Sequence, residues 1–273
     1  MLSDVLDLLS CPHCGADLDP EDGAVLCDRG HPFDVARQGY VSLLPGSAGK
    51  ITGDSAEMLA ARVRFLDGHH FDPIVDAVVA AVGKCGSILE VGAGTGHYLA
   101  AVLEHTGGRG IGVDVSKAAA RRIARAHPRV GAVVADVWHG LPVRSGALDT
   151  VTCVFSPRNA GELHRVLAPR GTLVVVTPTE RHQRELIGPL GLIGVDEDKA
   201  RRLGDTLSGR FESVTKRVLE FPMLLTHADA RNLVEMGPSA RHTTDAARDT
   251  AIGDLPDRVE VTASVTVGIY RAV

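Results

Sequence analysis

Residues 88–96 read ILEVGAGTG, and the reading of this stretch decides the fold. A short apolar strand ends in Glu90, and Gly92, Gly94 and Gly96 follow at alternate positions. Glycine lets a backbone turn sharply and lets a ligand approach with no Cβ in the way. The apolar run Tyr98 to Leu103 then reads as a helix whose N-terminus faces that ligand. Strand, loop and helix together make a nucleotide pocket of the doubly wound α/β kind. A dinucleotide loop, G-x-G-x-x-G, wants glycine at 97, where this chain has His97. A second acid closes the next strand in GRGIGVDVS: Asp114, 18 residues after Gly96. A carboxylate there can accept hydrogen bonds from both hydroxyls of a ribose.

The spacing present, E-x-G-x-G-x-G, resembles the first motif of S-adenosylmethionine-dependent methyltransferases. Outward from it, strands and helices alternate as a parallel sheet requires, with strands expected at 88–91, 110–114, 131–135, 148–155 and 171–177. Two period-2 stretches, FESVTKRVLEF (211–221) and RVEVTASVTVGIYRA (258–272), read as further strands. The expectation is a Rossmann-like sheet of seven strands whose last pair is antiparallel. The third strand ends at Asp136, Val137 and Trp138, where an acidic residue in this fold contacts the adenine amino group. The fourth runs into Ser156, Pro157, Arg158 and Asn159. Its carboxyl end faces the same crevice, so the methyl acceptor is expected near Phe155, Ser156, Pro157 and Asn159. Lys117, Arg121, Arg122 and Arg125 recur at helical spacing, which as a charge run reads first as a solvated face.

Toward the N-terminus, Cys11, Cys14, Cys27 and His31 form C-x2-C-x12-C-x3-H, a spacing suited to closed tetrahedral zinc. The stretch between the two knuckles reads as a hairpin about Asp22-Gly23. So small a segment lacks an adequate core, so the metal supplies much of its folding energy. A closed four-ligand site is structural and carries no catalytic water. His13, between two ligating cysteines, is expected to point away. Phe33, Tyr40, Val41, Leu43 and Leu44 can pack onto this module, and PGSAGKITGDS (45–55) reads as a linker. Asp54 or Ser55 can cap the helix that follows. His69 and His70 read as a polar rim over the cleft. The resulting division is a zinc module for RNA recognition over 1–45, linker and helix over 46–70, and a methyltransferase domain over 71–273. The module is expected to unfold on its own when Cys11 is lost.

The 273 residues, 44% of them hydrophobic, suit one large domain and a small one. A net charge of −5 provides no global basic field, though it leaves room for a local basic face. No apolar run approaches the roughly 20 residues of a membrane span, and MLSDVLDLLSCPHC lacks the basic region and cleavage site of a signal peptide. Clustered cysteines in such a chain favour metal over disulfides, and the reading is cytoplasmic.

The zinc spacing, FDVARQGYVSLLP, GDSAEMLAARVRFLDGHHFDPI and EVGAGTG occur in that order. Together they resemble the RlmA/TlrB family of large-subunit (23S) rRNA guanine-N1-methyltransferases over essentially the whole chain. The resemblance implies Cys11, Cys14, Cys27 and His31 as zinc ligands, and Thr95, Gly96 and His182 as cofactor contacts. Phe71 falls where the family can place a cofactor-contacting tyrosine, so packing survives and the hydroxyl does not. ADVWHGLPV departs from the Ser-Ser-His-like version seen in part of the family. TlrB-type members are linked to resistance to tylosin-like macrolides.

The reaction so implied moves the cofactor's methyl onto N1 of a guanine in an rRNA hairpin loop. Watson–Crick pairing buries N1, so the base must be unpaired or extruded. Its N1 proton must leave, and Asp136, Ser156 and Asn159 are the candidates to receive it. Arg37, Lys50, Arg62 and Arg64 are expected to grip RNA backbone, and a homodimer is compatible with the sequence. Two rivals stay open: a small-molecule methyltransferase with a zinc lid, and a non-catalytic ribosome-binding protein. Steep salt dependence of RNA binding would discriminate against the first, and failure to bind the cofactor would favour the second.

Overall fold

The computed structural model describes residues 1–45, 53–192, 194, 198–237 and 245–273. A 3-10 helix, Leu2–Leu8, leads into a small antiparallel sheet of β1 (Leu18–Glu21), β2 (Ala24–Cys27) and β3 (Pro32–Asp34). Glu21 pairs with Ala24 across the expected Asp22-Gly23 turn, with Gly23 at φ +72° supplying the left-handed residue. Next come β4 (Tyr40–Ser42), α1 (Ala56–Asp67) and α2 (Asp72–Val82). Ser55 caps α1 by accepting from Met58 N at 3.2 Å, and Pro73 opens α2. The alternating part follows as β5 (Ser87–Val91), α3 (His97–Thr106), β6 (Arg109–Asp114), α4 (Lys117–Ala126), β7 (Val130–Val134), β8 (Leu148–Val154), α5 (Ala160–Val166) and β9 (Leu167–Pro178). The remainder is α6 (Arg184–Leu190), α7 (Lys199–Leu207), β10 (Phe211–Thr226), α8 (His227–Glu235), α9 (Asp245–Gly253) and β11 (Arg258–Ala272).

The main sheet runs β10-β11-β9-β8-β5-β6-β7-β4. The inner strands are parallel, and β11 and β10 complete it as an antiparallel pair. The Rossmann-like methyltransferase sheet is thus present with eight strands instead of seven. The extra strand is β4, which pairs parallel with β7 from Tyr40↔Ala132 to Ser42↔Val134. The expectation that this stretch packs wholly onto the zinc module is corrected accordingly: Val41 and Leu43 face the module's side, whereas Tyr40 faces the opposite core.

Two cores follow from the period-2 alternation of the strands. Ile88, Val130, Ala132, Val134, Val174 and Val176 face α1, α2, α3, α4 and α8. Leu89, Val91, Ile111, Val113, Val133, Val151 and Val175 face the other way. Much of that second face is covered by the N-terminal segment: Leu2, Val5, Leu6, Leu8, Leu9, Leu18, Val25 and Phe33 share its core. The fit is close enough that a Cβ on Gly131 would overlap Val5 Cγ2. Leu9 bridges to Val143, and Arg109 clamps Asp7 through both guanidinium nitrogens at 2.7 Å. The zinc segment is a layer of the fold. Among the described residues no helix is long and apolar enough to cross a membrane.

Candidate active site and zinc centre

Cys11 and Cys14 flank one turn and Cys27 and His31 the other, each closed by a glycine: Gly15 N donates to Cys11 O at 2.8 Å and Gly30 N to Cys27 O at 2.7 Å. The four ligand atoms lie within 4.8 Å of one another. Cys14 Sγ is 3.7 Å from Cys27 Sγ, and His31 Nδ1 is 3.6, 3.6 and 3.2 Å from Cys11, Cys14 and Cys27. With Zn–S near 2.3 Å, the edges of a tetrahedral site are roughly 3.7 Å, so these residues fit zinc. His13 turns away, its ring stacked on Phe33 at 5.7 Å and 16°.

A cavity of about 580 Å³ lies at the carboxyl ends of β5, β6, β7, β8 and β9, within the size range of small-molecule sites. It brings together Phe71, Glu90, Gly92, Thr95, Asp114, Asp136, Ser156 and His182. Gly94 and Gly96, also expected to contact the cofactor, do not line the cavity. Gly96, at φ +77°, meets Ala126 where a Cβ would stand, and Gly94 N donates to Asp114 Oδ2 at 3.0 Å.

Each carboxyl group is held differently. Glu90, 1% exposed, accepts from Leu99 N at 2.9 Å. The first turn of α3 is therefore directed at this carboxyl group as well as at the cleft. Burial pushes the Glu90 pKa up to about 8, with Asp114 adding to the effect against the pull of Leu99 N–H. Asp114 Oδ1 accepts from Ser116 N at 2.9 Å, so its two oxygens each hold one backbone donor and keep lone pairs for the cavity. Burial raises its pKa also. Asp136 Oδ1 accepts from Trp138 N at 3.0 Å and Oδ2 lies 2.6 Å from His139 Nδ1.

On the opposite wall, Ser264 N donates to His182 Nδ1 at 3.1 Å. Gln183 Nε2 lies 3.0 Å from His182 Nε2, so both ring nitrogens are engaged within the protein and neither is open to act as a base. Ser156 is 8% exposed and its Oγ makes no hydrogen bond to nitrogen or oxygen among the described residues. Its Cβ is packed where a Cβ of Gly92 would fall, which makes glycine obligatory at 92. Asn159 does not line the cavity. It caps α5 by accepting from Glu162 N at 3.4 Å and donates Nδ2 to Val137 O at 3.1 Å, so it leaves the catalytic candidates.

The roof of the cavity is α1 with the end of α8. Arg62 pairs with Asp54 at 2.7 Å, donates to Met236 O at 2.8 Å and lies over Gly94. Arg64 is bonded to Asn232 Oδ1 at 2.8 Å. Arg62 is held on both sides and mostly covered, so the expectation that it grips RNA is corrected, whereas the Arg64 side chain stays more than half exposed. Lys50 lies outside the described residues, and Arg37 is exposed. His69 bonds Asp72 at 3.0 Å, and His70 lies 3.4 Å from Asp229. Neither lines the cavity. Asp54, Arg62, Tyr98, Gln183 and Met236 also line it and were not read as cofactor-site residues; Arg62 and Met236 come together only where α1 meets the end of α8.

The family described as "RlmA, N-terminal", a zinc ribbon, matches residues 9–49, and the one described as "Methyltransferase domain" matches residues 88–171. The chain is 42% identical to the 23S rRNA (guanine(748)-N(1))-methyltransferase of Streptomyces fradiae, over 99% of each. It is also 42% identical, over the full length of both, to a Micromonospora griseorubida protein described as a candidate 23S rRNA (guanine-N(1)-)-methyltransferase. Among solved structures, a candidate methyltransferase from Bacillus halodurans superposes with a TM-score of 0.53 at 15% identity, covering 72% of this chain and 97% of that one.

Proposed function

The chain belongs to the RlmA/TlrB family of 23S rRNA (guanine-N1)-methyltransferases, and we propose that it methylates N1 of an unpaired guanine in a hairpin loop of 23S rRNA. The observation that carries this reading is the full-length match to the S. fradiae enzyme, which spans both the Cys3His cluster and the acid-lined cleft. Resistance to tylosin-like macrolides is the consequence this reading implies for the cell, where the enzyme works in the cytoplasm.

S-adenosylmethionine fits the cleft, and when bound it supplies an electrophilic methyl group. In our reading Asp114 holds the ribose hydroxyls and Asp136 the adenine amino group. Gly92 and Thr95 floor the site, Gly94 and Gly96 shape its loop from behind, and Phe71 and His182 wall the end nearer β9. Of the groups considered for the N1 proton, His182 has no open nitrogen and Asn159 is engaged elsewhere. Asp136 already accepts from its own loop. Ser156 Oγ has no nitrogen or oxygen partner among the described residues and can turn about Cα–Cβ to accept N1–H and orient it toward water.

Asp114→Ala tests the ribose assignment. It removes the charged acceptor of two hydroxyls and also frees Gly94 N and Ser116 N. Cofactor affinity measured by calorimetry is expected to fall by roughly 10²-fold or more, at about 1.5–3 kcal/mol per charged hydrogen bond. Affinity within a factor of three of wild type would refute the assignment.

For the RNA, the exposed stripe of Lys117, Arg121 and Arg125 along α4 takes the place of Arg62 and joins the exposed Arg64. None of the three makes an ion pair among the described residues. Gly39, two residues past Arg37, lies against Ala124 of α4, so Arg37 extends the same face. We place a homodimer contact on the edge strand β10, whose Val214, Val218 and Leu224 are exposed. The test of the whole reading is transfer of labelled methyl to 23S rRNA from a strain lacking the modification, mapped by mass spectrometry and primer extension. One stop at a hairpin-loop guanine is expected. No incorporation with intact cofactor binding would shift the assignment to a small-molecule acceptor.

A further inference from the structure

Phe155 has a backbone conformation that its residue type avoids. Its φ is +53°, in the left-handed region that a bulky residue enters only where its surroundings impose it. Four non-glycine residues among those described have positive φ: His69, Phe155, Arg170 and Gln183. Two of them, Phe155 and Gln183, line the cleft. The strain is held on both sides. Phe155 N donates to Val176 O at 3.1 Å, Ser156 is wedged against Gly92, and Arg158 Nη1 donates to Ser156 O at 3.1 Å.

The result is an aromatic ring kept in the open. Phe155 is 40% exposed, against the tendency of phenylalanine to be buried. Its ring stacks on His182 at 5.8 Å and 28°, with Phe71 at 6.1 Å, so one side is backed while the rest opens onto the cleft. Among the described residues the neighbouring Ser156 hydroxyl is buried without a nitrogen or oxygen partner, with the weakly polar Cys153 thiol beside it. An exposed ring beside a hydroxyl with no nitrogen or oxygen partner suits a planar, polar ligand.

That ligand differs from the cofactor's own nucleoside. The acids suited to a nucleoside, Asp114 and Asp136, stand at the ends of β6 and β7. Phe155 follows β8, which lies on the far side of β5 from both. With strands about 4.8 Å apart, the ring lies roughly two strand spacings from β6. We propose that Phe155 is the platform on which the extruded target guanine stacks, its left-handed backbone fixing the ring where the base must arrive. This rests on the rRNA reading given above.

The test compares Phe155→Ala, Phe155→Leu, Phe155→Gly and Phe155→Tyr with the wild-type chain. The measurements are methyl transfer to unmodified 23S rRNA and S-adenosylmethionine affinity by calorimetry. Loss of one base–aromatic stack is expected to lower kcat/KM for RNA about 5- to 150-fold in Phe155→Ala. Phe155→Leu keeps apolar bulk without a π face and is expected to share that loss, while Phe155→Tyr restores activity to within about twofold. Phe155→Gly suits the backbone and deletes the ring, so it should fold at least as well as Phe155→Ala and be equally impaired. Cofactor affinity stays within about twofold throughout. An active Phe155→Leu overturns the platform, as does a loss of cofactor affinity that matches the loss of kcat/KM. A wild-type chain that transfers nothing to rRNA overturns the rRNA reading and the platform with it. Active wild type beside active Phe155→Ala overturns the platform alone.

Discussion

Cys11→Ala is expected to empty the zinc site and to lower the melting temperature of the whole chain by roughly 10 °C or more, in one transition. The magnitude follows from two comparisons. Apparent binding energies of structural zinc reach about 10–16 kcal/mol, while domains are stable by only about 5–15 kcal/mol. A loss of several kcal/mol in a chain of this size moves the melting point by about 2–4 °C for each. Cooperativity follows from the packing. Leu2, Val5, Leu6, Leu9, Val25 and Phe33 cover Leu89, Val91, Ile111 and Val113 of the central strands. If the knuckles open, that apolar sheet face meets water. Scanning calorimetry paired with metal analysis checks this. A small early transition followed by an unshifted main one would show instead an independently folding module, as the sequence alone had suggested. A zinc-free variant that melts with the wild type would end the structural role.

Which parts of the fold were legible follows from how local each signal is. The glycine loop, its flanking acids and the strands around them are written within a few residues of one another. The zinc ligands are fixed by spacing, and the structure brings all four together. β4 was not legible, since three residues, Tyr40–Ser42, carry no period, and their partner lies some ninety positions on. Asn159 read as a site residue because it follows β8, yet its side chain is committed to the N-terminus of α5. Arg62 looked like a free cation on a linker helix, but it pairs with Asp54 at the start of its own helix and with the carbonyl of Met236, which comes close only when α1 meets α8. Nothing in a sequence announces a left-handed phenylalanine, so Phe155 could be placed near the acceptor but not recognised as held there. Position along the chain gives the neighbourhood of a site, and tertiary closure decides which side chains in it are available.

Glu90 illustrates that distinction and carries the second large effect: Glu90→Gln is expected to make the chain more stable at pH 9 while weakening its hold on the cofactor. The wild-type carboxyl is 1% exposed, accepts one N–H from Leu99 and has Asp114 nearby. Its pKa of about 8 lies above the ordinary 4.5, so between these values the folded chain holds a proton that the unfolded chain has released. Stability from this group is therefore fully present below about pH 4.5, declines as pH rises through the interval, and levels off above about 8. The full difference is on the order of 4–5 kcal/mol. Glutamine keeps an oxygen for Leu99 N–H and never ionises, so this contribution to the decline disappears. Urea midpoints of the two proteins should agree near pH 5 and separate in favour of Glu90→Gln by pH 9. Cofactor binding moves the other way, because S-adenosylmethionine brings positive charge that an ionised Glu90 favours and a neutral amide does not. Wild-type binding at pH 7 should accordingly release a proton, seen as a dependence of the calorimetric heat on buffer ionisation enthalpy, and the variant should lack that dependence. Parallel stability profiles from pH 5 to 9 would mean that Glu90 is ionised in the free protein. The cleft would then be preset for a cation, with no proton exchanged when one arrives.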